Sequence, residues 1–582
     1  MRRMIMIAAM AGMLLAAGLP APFARSGATT ATTRTAVQRA AADQPAVAPG
    51  YIYDQLAYMA TTFQRREAGY DANLPVTVNG HDEFADYWQR EMLANLSGFG
   101  AVARRDPFPI AGWQGQPATV PAFNVEVTVP GQTQPEQMVV IGCHYDGMAN
   151  STQSANDDGS GCAIELGIAR AMATFWRTHH VVPARTLRFV IFDAEEQGLY
   201  GSFHYLDATV NGDIANIVAM FNEEQNGIAY PVRFLGDTRY PVLPYFDYLS
   251  PLASNDLYPN REQLSPAQRD ALARFRADMA LAVPDAFAGF QQLGYSSLGD
   301  TNSVGKTVPR PVFGASDVSQ VQLADDTIGS SDQMPFTLAG VPAAMLVGNS
   351  SYYDPNAPPW SYPYDQPQDT VALMNTYASG SATEAKALEL ALALPGMLTT
   401  WMLARQDVLG MVAPDGKPVA AISDVGPTVA GQSMPLDALA AYTPGGSGTL
   451  GFAWQFGDGA SASGVRVQHT YAHPGTYTLA LTVTGSGGTR TERKTLTVTS
   501  SATKYPNPYA GYHPNGLPPP NPQVVLPVPR VSAAPAATPT PQPAGSGSGV
   551  SLGAVVVYLL LGALALVLLA GHGLLQTRRR KG

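Results

Sequence analysis

The 582-residue chain predicts an α/β domain with a mixed, mostly parallel sheet flanked by helices, then an all-β sandwich, then a single C-terminal transmembrane helix. Three observations carry this. Residues 138–142 (MVVIG), 187–192 (LRFVIF) and 341–347 (VPAAMLV) are short apolar runs, the pattern of strands buried on both faces. Helical spacing over 162–175 and 382–403 separates them, which implies βαβ units. After residue 419 the texture becomes short β-rich runs broken by Gly and Ser, and residues 550–570 are almost wholly apolar.

In chain order, Met1-Arg2-Arg3, an apolar run over 4–19 and small residues near Ala24 and Ala28 read as a signal peptide over 1–28. Residues 29–50 are an Ala/Thr-rich leader expected to be disordered. Residues 51–405 form the α/β domain and 419–500 the sandwich. Residues 501–548, rich in Pro, Ala, Gly and Ser, suit an extended linker. The run over 550–570 is long enough for one membrane crossing, which takes about 20 residues. Arg578, Arg579, Arg580 and Lys581 lie in the tail over 571–582 and place it in the cytoplasm. The signal peptide gives the same orientation, so the α/β domain is expected outside the cytoplasm, in the periplasm or at the cell surface. The tail has a second reading. Gly545 to Gly549 before the helix and basic cluster resemble processed C-terminal sorting signals of Gram-negative bacteria, whose loss would release the protein or leave it surface-attached.

Charged residues make up 14% of the chain, against about 25% in ordinary soluble domains. A net charge of −10 argues against nucleic-acid binding. Two cysteines, Cys143 and Cys162, exclude a Cys-rich zinc framework. They form one disulfide or remain buried free thiols; spacing does not supply the Cβ geometry a bridge requires, and free thiols are the preferred reading.

Four motifs lie at or near predicted strand ends: His144-Tyr145-Asp146, Asn156-Asp157-Asp158-Gly159-Ser160-Gly161, Asp193-Ala194-Glu195-Glu196-Gln197-Gly198 and Asn222-Glu223-Glu224-Gln225. Two divalent ions about 3.5–4 Å apart need a bridging carboxylate and terminal imidazole or carboxylate ligands. Hydrolysis also needs a carboxylate left over to take a proton. A Glu-Glu pair at a strand end divides those tasks, and an H-x-D pair lets the Asp orient the imidazole. Each motif alone is common; an isolated Asp-Asp-Gly is more often a turn or helix cap. Four in this order around buried strands are specific.

With these residues in place, the segment over 51–405 resembles the co-catalytic zinc aminopeptidases of metallopeptidase family twenty-eight, whose relatives include glutamate carboxypeptidase and glutaminyl cyclase. The matching text is VVIGCHYD, NDDGSG, FVIFDAEEQGLYGS, and GSSDQMPF with GVPAAML; residues 230–325 match poorly. The resemblance implies a zinc-exopeptidase-type fold. It makes His144 a ligand oriented by Asp146, Asp157 the bridging ligand, Glu195 the general base and Glu196 a ligand. Peptides are then the substrates, and two divalent ions the cofactors.

Three positions depart from the family pattern. Glu224 stands where the fourth motif usually has a ligand Asp. The Ser-Asp-His motif reads Ser331-Asp332-Gln333. Asp365, in Tyr364-Asp365-Gln366-Pro367-Gln368-Asp369-Thr370, replaces the usual last histidine ligand, and no histidine occurs between His204 and His469. Family geometry gives one site of His144, Asp157 and Glu224, where Zn²⁺ is expected. The other, of Asp157, Glu196 and Asp365, is all oxygen and suits Zn²⁺, Mn²⁺, Mg²⁺ or Ca²⁺. Three outcomes stay open: hydrolysis with two metals, hydrolysis with one, or a pseudo-peptidase acting in surface binding or adhesion. Retained aminopeptidase activity is favoured, because both changes keep an ionised oxygen. No residue points specifically to acyl transfer of the glutaminyl cyclase type.

Within 419–500, Trp454-Gln455-Phe456-Gly457-Asp458-Gly459, His469-Thr470-Tyr471 and Pro474-Gly475-Thr476-Tyr477 resemble the polycystic-kidney-disease (PKD) repeat, an immunoglobulin-like sandwich. Gly457-Asp458-Gly459 reads as a turn, and Trp454 and Tyr477 as core aromatics on different strands. His469 is expected to be structural. The module is a spacer, or a contact surface for polymers or proteins.

Overall fold

The computed structural model describes residues 44–68, 80–111, 119–148, 151–210, 212–227, 245–248, 265–290, 297–301, 307–311, 323–325, 331–347, 366–379, 381–446 and 448–502. The expected signal peptide, residues 29–43 of the leader, nearly all of the linker, the span over 550–570, the basic tail and Asp365 lie outside these residues, while residues 44–50, expected to be disordered, lead into a helix that starts at Pro49. Among the described residues no helix is long and apolar enough to cross a membrane. The chain divides into two compact units, Met1–Ser532 and Ala533–Gly582, and all described residues fall in the first.

The strands, in chain order, are β1 (Val102–Ala111), β2 (Thr119–Val129), β3 (Gln134–His144), β4 (Val182–Pro183), β5 (Arg185–Phe192), β6 (Ile217–Glu224), β7 (Tyr245–Tyr248), β8 (Ser297–Thr301), β9 (Thr307–Pro311), β10 (Leu323–Asp325), β11 (Ala343–Val347), β12 (Met411–Val412), and, in the sandwich, β13 (Ser433–Asp437), β14 (Gly451–Gln455), β15 (Ser461–Ser463), β16 (Arg466–Thr470), β17 (Gly475–Gly485) and β18 (Gly488–Val498). One eight-stranded sheet runs β1-β2-β5-β3-β6-β11-β7-β10. Its centre is parallel: β3 pairs with β5 and β6, and β6 with β11. At one edge β1, β2 and β5 are antiparallel, and β7 pairs antiparallel with β11. The sheet is therefore mixed, with its apolar runs at the centre, where both faces are covered.

Helices Pro49–Thr62, His81–Asn95, Gly159–His179 and Lys386–Leu403 pack over one face, on a core that includes Val139, Ile141, Phe189, Ile191 and Phe221. Alternate residues of the same strands, Val140, Val190, Phe192 and Met220, face a second core with Phe203, Tyr205 and Phe336. This is the period-two division of a two-sided sheet. Helix Gly159–His179 begins where Asp158 accepts the Gly161 amide at 2.9 Å, an N-cap. Gly161 is required there, because a Cβ would meet the Glu223 carbonyl at 2.2 Å. The cysteines are paired, against the preferred sequence reading: Cys143 at the end of β3 is bonded to Cys162 in the first turn of this helix, with Cα atoms 5.5 Å apart. Strand and helix meet over one sheet position, a proximity that only the tertiary fold supplies.

The sandwich core holds Trp454, Tyr471, Leu479, Leu481, Val483 and Leu496. Gly457 and Gly459 take φ of 84° and 96°, so the Gly-Asp-Gly turn needs its glycines. Tyr477 is only partly buried and rests against Tyr471, which occupies the core position expected for Tyr477. Tyr477 shares the strand face of the inward-facing Leu479 and Leu481 but lies near the start of β17, where the strand is still partly exposed. His469 bonds Asp458 at 2.8 Å and stacks on Phe456, a structural role.

Strand β18 brings Glu492 and Lys494 into buried positions beside the α/β domain. Burial raises the Glu492 carboxyl to about 8, although Lys494 and the Ile422 amide pull it down; Glu136 and Asp213 add to the rise. The native state therefore holds a proton that the unfolded chain releases near the ordinary Glu value. This contribution to stability is complete at acidic pH and is lost as pH rises through about 8. Thermal unfolding of the whole chain is expected to show a Tm that falls between about pH 5 and about pH 8, and Glu492→Gln is expected to flatten that fall. An unchanged slope would contradict the assignment.

Candidate metal centre

The strand register assembles the site. β3 and β5 are parallel with His144 opposite Phe192, and β3 and β6 with Gly142 opposite Asn222. Continuing the second ladder by two residues sets His144 level with Glu224. The carboxyl ends of three adjacent strands thus present His144-Tyr145-Asp146, Asp193 to Glu196 and Glu223-Glu224 along one rim, where open parallel sheets hold ligands. The Asn156–Asp158 turn crosses the same rim before its helix.

His144 Nε2 lies 2.9 Å from Asp157 Oδ1 and 3.7 Å from Glu224 Oε1. His144 Nδ1 faces the Asp146 carbonyl oxygen at 3.2 Å and its carboxylate at 3.4 Å. Donation from Nδ1 leaves the Nε2 lone pair directed at the carboxylates, the tautomer a metal requires. Asp146 does more than orient the ring. Its two carboxylate oxygens accept the backbone amides of Glu195 and Glu196 at 3.1 and 3.2 Å. One side chain therefore fixes the histidine and the Glu-Glu turn together. Asp146→Ala is expected to lower metal affinity about 10–100-fold, measured by competition with a chromophoric chelator; unchanged affinity would contradict this role.

The remaining supports were only partly visible in sequence. Asp369 accepts the Asn156 and Asp157 amides at 2.9 and 3.1 Å and so holds the turn that carries Asp157. Ser331 donates to Glu224 Oε2 at 2.6 Å and receives the Asn222 amide at 2.8 Å, which fixes the longer Glu224 side chain. Both lie in quoted motifs, without an assigned task. Arg66 had no signal at all. Fully buried, it donates to the carbonyls of Tyr145, Gln153 and Ser154, clamping the loops on either side of the site. His81 bonds Asp193 at 2.8 Å, and Asp193 also accepts the Phe123 amide and the Tyr145 hydroxyl, holding the chain just before the Glu pair.

Two sets of possible ligand atoms lie within 4.8 Å of one another: His144, Asp157 and Glu196, and His144, Asp158 and Glu224. The structure thus brings together His144, Asp157, Glu196 and Glu224, and adds Asp158. It says nothing of Asp365, which falls outside the described residues. The donors fit a divalent cation. Oδ2 of Asp157 and of Asp158 is buried without a hydrogen-bond partner. The electrostatics agree. Burial raises Asp157, Asp158 and Glu195, and Glu224 adds to each rise. Burial works against the His144 imidazolium, yet Glu195 and Glu224 hold its pKa well above the ordinary value. Acids crowded this closely favour added positive charge, from protons or from a metal.

Two segments of the chain match known families. Residues 124–278 match the profile of Peptidase family M28, and residues 415–500 that of the PKD domain. A protein of Leptosphaeria maculans named "Probable zinc metalloprotease" is 31% identical over 190 residues, 31% of this chain and 40% of its own length. Aminopeptidase YwaD of Bacillus subtilis is 31% identical over 107 residues, 18% of this chain and 22% of its own. The match spans 40% of the former relative and less of the latter. Among solved structures, the zinc aminopeptidase BSAP of B. subtilis aligns at 14% identity and a TM-score of 0.37, over 62% of this chain and 98% of that one. A Porphyromonas gingivalis glutaminyl cyclase aligns at 16% and 0.38, over 62% and 99%. The chain carries a Peptidase family M28 segment followed by a PKD domain.

Proposed function

We propose that the protein is a metal-dependent exopeptidase, an aminopeptidase that removes N-terminal residues from peptides outside the cytoplasm. The observation that supports this best is the convergence of His144, Asp157, Glu196 and Glu224, with Glu195 beside them, at three adjacent strand ends. His144, Asp157 and Glu224, with Asp158 adjoining, would hold one ion; Asp157, Glu196 and Asp365 would hold the other. When bound, such ions polarise a carbonyl and acidify water.

Glu195 is the general base. Burial raises its pKa well above the ordinary value, partly offset by His144 and reinforced by Glu224 and Asp332. A carboxylate raised in this way accepts a proton near neutral pH and can return it. Glu195 takes a proton from the attacking water as the water oxygen bonds to the scissile carbonyl carbon. As the C–N bond breaks, the same proton passes to the leaving amine. Asp146, gripping the Glu195 and Glu196 amides, keeps the base in place. The anionic rim suits a protonated α-amino group, hence action at the N-terminus. The signal peptide over 1–28 and the span over 550–570 support export and anchoring, with release as the alternative fate. Contact with polymers or proteins through the PKD domain belongs to the same reading.

The test compares a free peptide with its N-acetylated form, using zinc-loaded full-length protein. Release of the first amino acid from the free peptide alone, abolished by chelation and restored by zinc, is expected. No release from any free-amine peptide by metal-loaded protein would overturn the proposal.

A further inference from the structure

The PKD sandwich does not hang from a linker. The segment leaving helix Lys386–Leu403 is knitted to the α/β domain: β12 pairs with β4, and the Ala184 and Arg185 amides donate to the carbonyls of Gly410 and Leu409. Gln132 donates to the Ala413 carbonyl at 3.0 Å. Beyond it, the two domains share a buried ion network. Arg188, a buried charge in β5, pairs with Asp424 of the sandwich and with Glu126 of β2 at 3.3 Å. Arg104 of β1 reaches the other Asp424 oxygen at 3.1 Å. Tyr205 donates to Glu126 at 2.6 Å. A few residues away, Lys494 of β18 bonds Asp213 at 2.9 Å, and Asp213 also accepts the Val425 amide. The Gly212 amide donates to the Val425 carbonyl at 3.1 Å. Arg188, Glu126, Asp213, Asp424, Glu492 and Lys494 have side chains at most about one-sixteenth exposed or are otherwise buried.

Backbones also meet. A Cβ on Gly426 would come within 2.6 Å of the Ala208 carbonyl, and one on Gly100 within 2.3 Å of the Tyr442 ring. Each domain thus supplies the counter-charge that the other has buried. Burial alone would raise the Asp424 carboxyl, but Arg188 and Arg104 reverse this and hold it at about 2. Removing one partner of such a pair leaves a buried charge uncompensated, a much larger penalty than losing a surface ion pair.

The placement of the network gives it a consequence for the site. Arg188 lies on β5, the strand that leads into the turn carrying Glu195 and Glu196. Asp213 lies just before β6, the strand that ends in Glu224. We propose that the PKD sandwich is a fixed clamp on the metal-binding sheet, its partner being the β1-β2-β5 edge and the Asp213 turn, and that the two domains open as one cooperative unit. This reading stands apart from the chemistry of the site and is tested without metal or substrate.

Native-state hydrogen exchange on the unmodified full-length chain tests it first. Amides of β5 and of β17–β18 are expected to exchange through one shared opening, with the same denaturant dependence. Full-length Asp424→Ala, Arg188→Met and the double variant test it second. Each single change is expected to speed β5 and β6 exchange at least tenfold, and the double change to cost less than the two singles combined, because their targets touch. Separate openings for sandwich and sheet in the unmodified chain, or unchanged β5 and β6 exchange in folded Asp424→Ala, would overturn the proposal.

Discussion

Glu195→Gln is expected to lower kcat about 10²–10⁴-fold, with metal content and KM little changed. Glutamine keeps the size and the backbone amide that Asp146 grips, but cannot take a proton. Activity is also expected to rise with pH on its acid limb as Glu195 loses its proton, a carboxyl that burial, Glu224 and Asp332 raise and that bound cations would lower. The variant removes that limb. Measured together, kcat, the pH profile and bound metal separate loss of the base from loss of the ion. A Glu195→Gln protein that turns over like the parent would assign the base elsewhere.

The second large effect is on stability. Arg66 is 1% exposed, lies 4.5 Å over the Phe84 ring and donates to three backbone carbonyls. Burial pulls its pKa down to about 10, against the opposing fields of Asp369, Asp146, Asp158 and Asp157. Arg66→Met keeps much of the length and apolar contact but removes the charge and the donors. The cost expected for breaking a buried charged cluster from one side is about 3–5 kcal/mol. At about 2.1 cal/mol/K of unfolding entropy per residue, a cooperative unit of this size loses roughly 3–7 °C in Tm. Arg66→Lys restores the charge without the three-carbonyl fork and should recover only part. Calorimetry in chelator, so that bound metal does not supply the missing charge, is the measurement. A Tm within 2 °C of the parent, about the effect of a single surface contact, would mean the clamp is dispensable.

What could be read from sequence was what local pattern encodes. The central strands β3, β5 and β11 each carry an apolar run read from the sequence, and the motifs of the candidate site lie at or just after the ends of β3, β5 and β6. β1 escaped notice because VARRDPFPIA carries three charges and two prolines; it is an edge strand, where proline's missing donor costs little. At the site, His144, Asp157, Glu195, Glu196 and Glu224 were legible because their chemistry and chain neighbours coincide. Arg66 was not, since its partners lie 79 to 88 residues away and a lone arginine reads as surface. The ion pairs of Asp424 and Lys494 were hidden for the same reason. Each looks like an ordinary solvated charge until the other domain covers it. The cysteine pair is a case of the same kind, resolved only when helix Gly159–His179 folds back along β3.

The most direct test of the central claim is anomalous diffraction from crystals of the full-length chain grown with zinc. The account predicts two peaks at the ends of β3, β5 and β6, sharing Asp157, one against His144 and Glu224 and the other against Glu196 and Asp365. Crystals of zinc-loaded protein with no anomalous density among these side chains would contradict it.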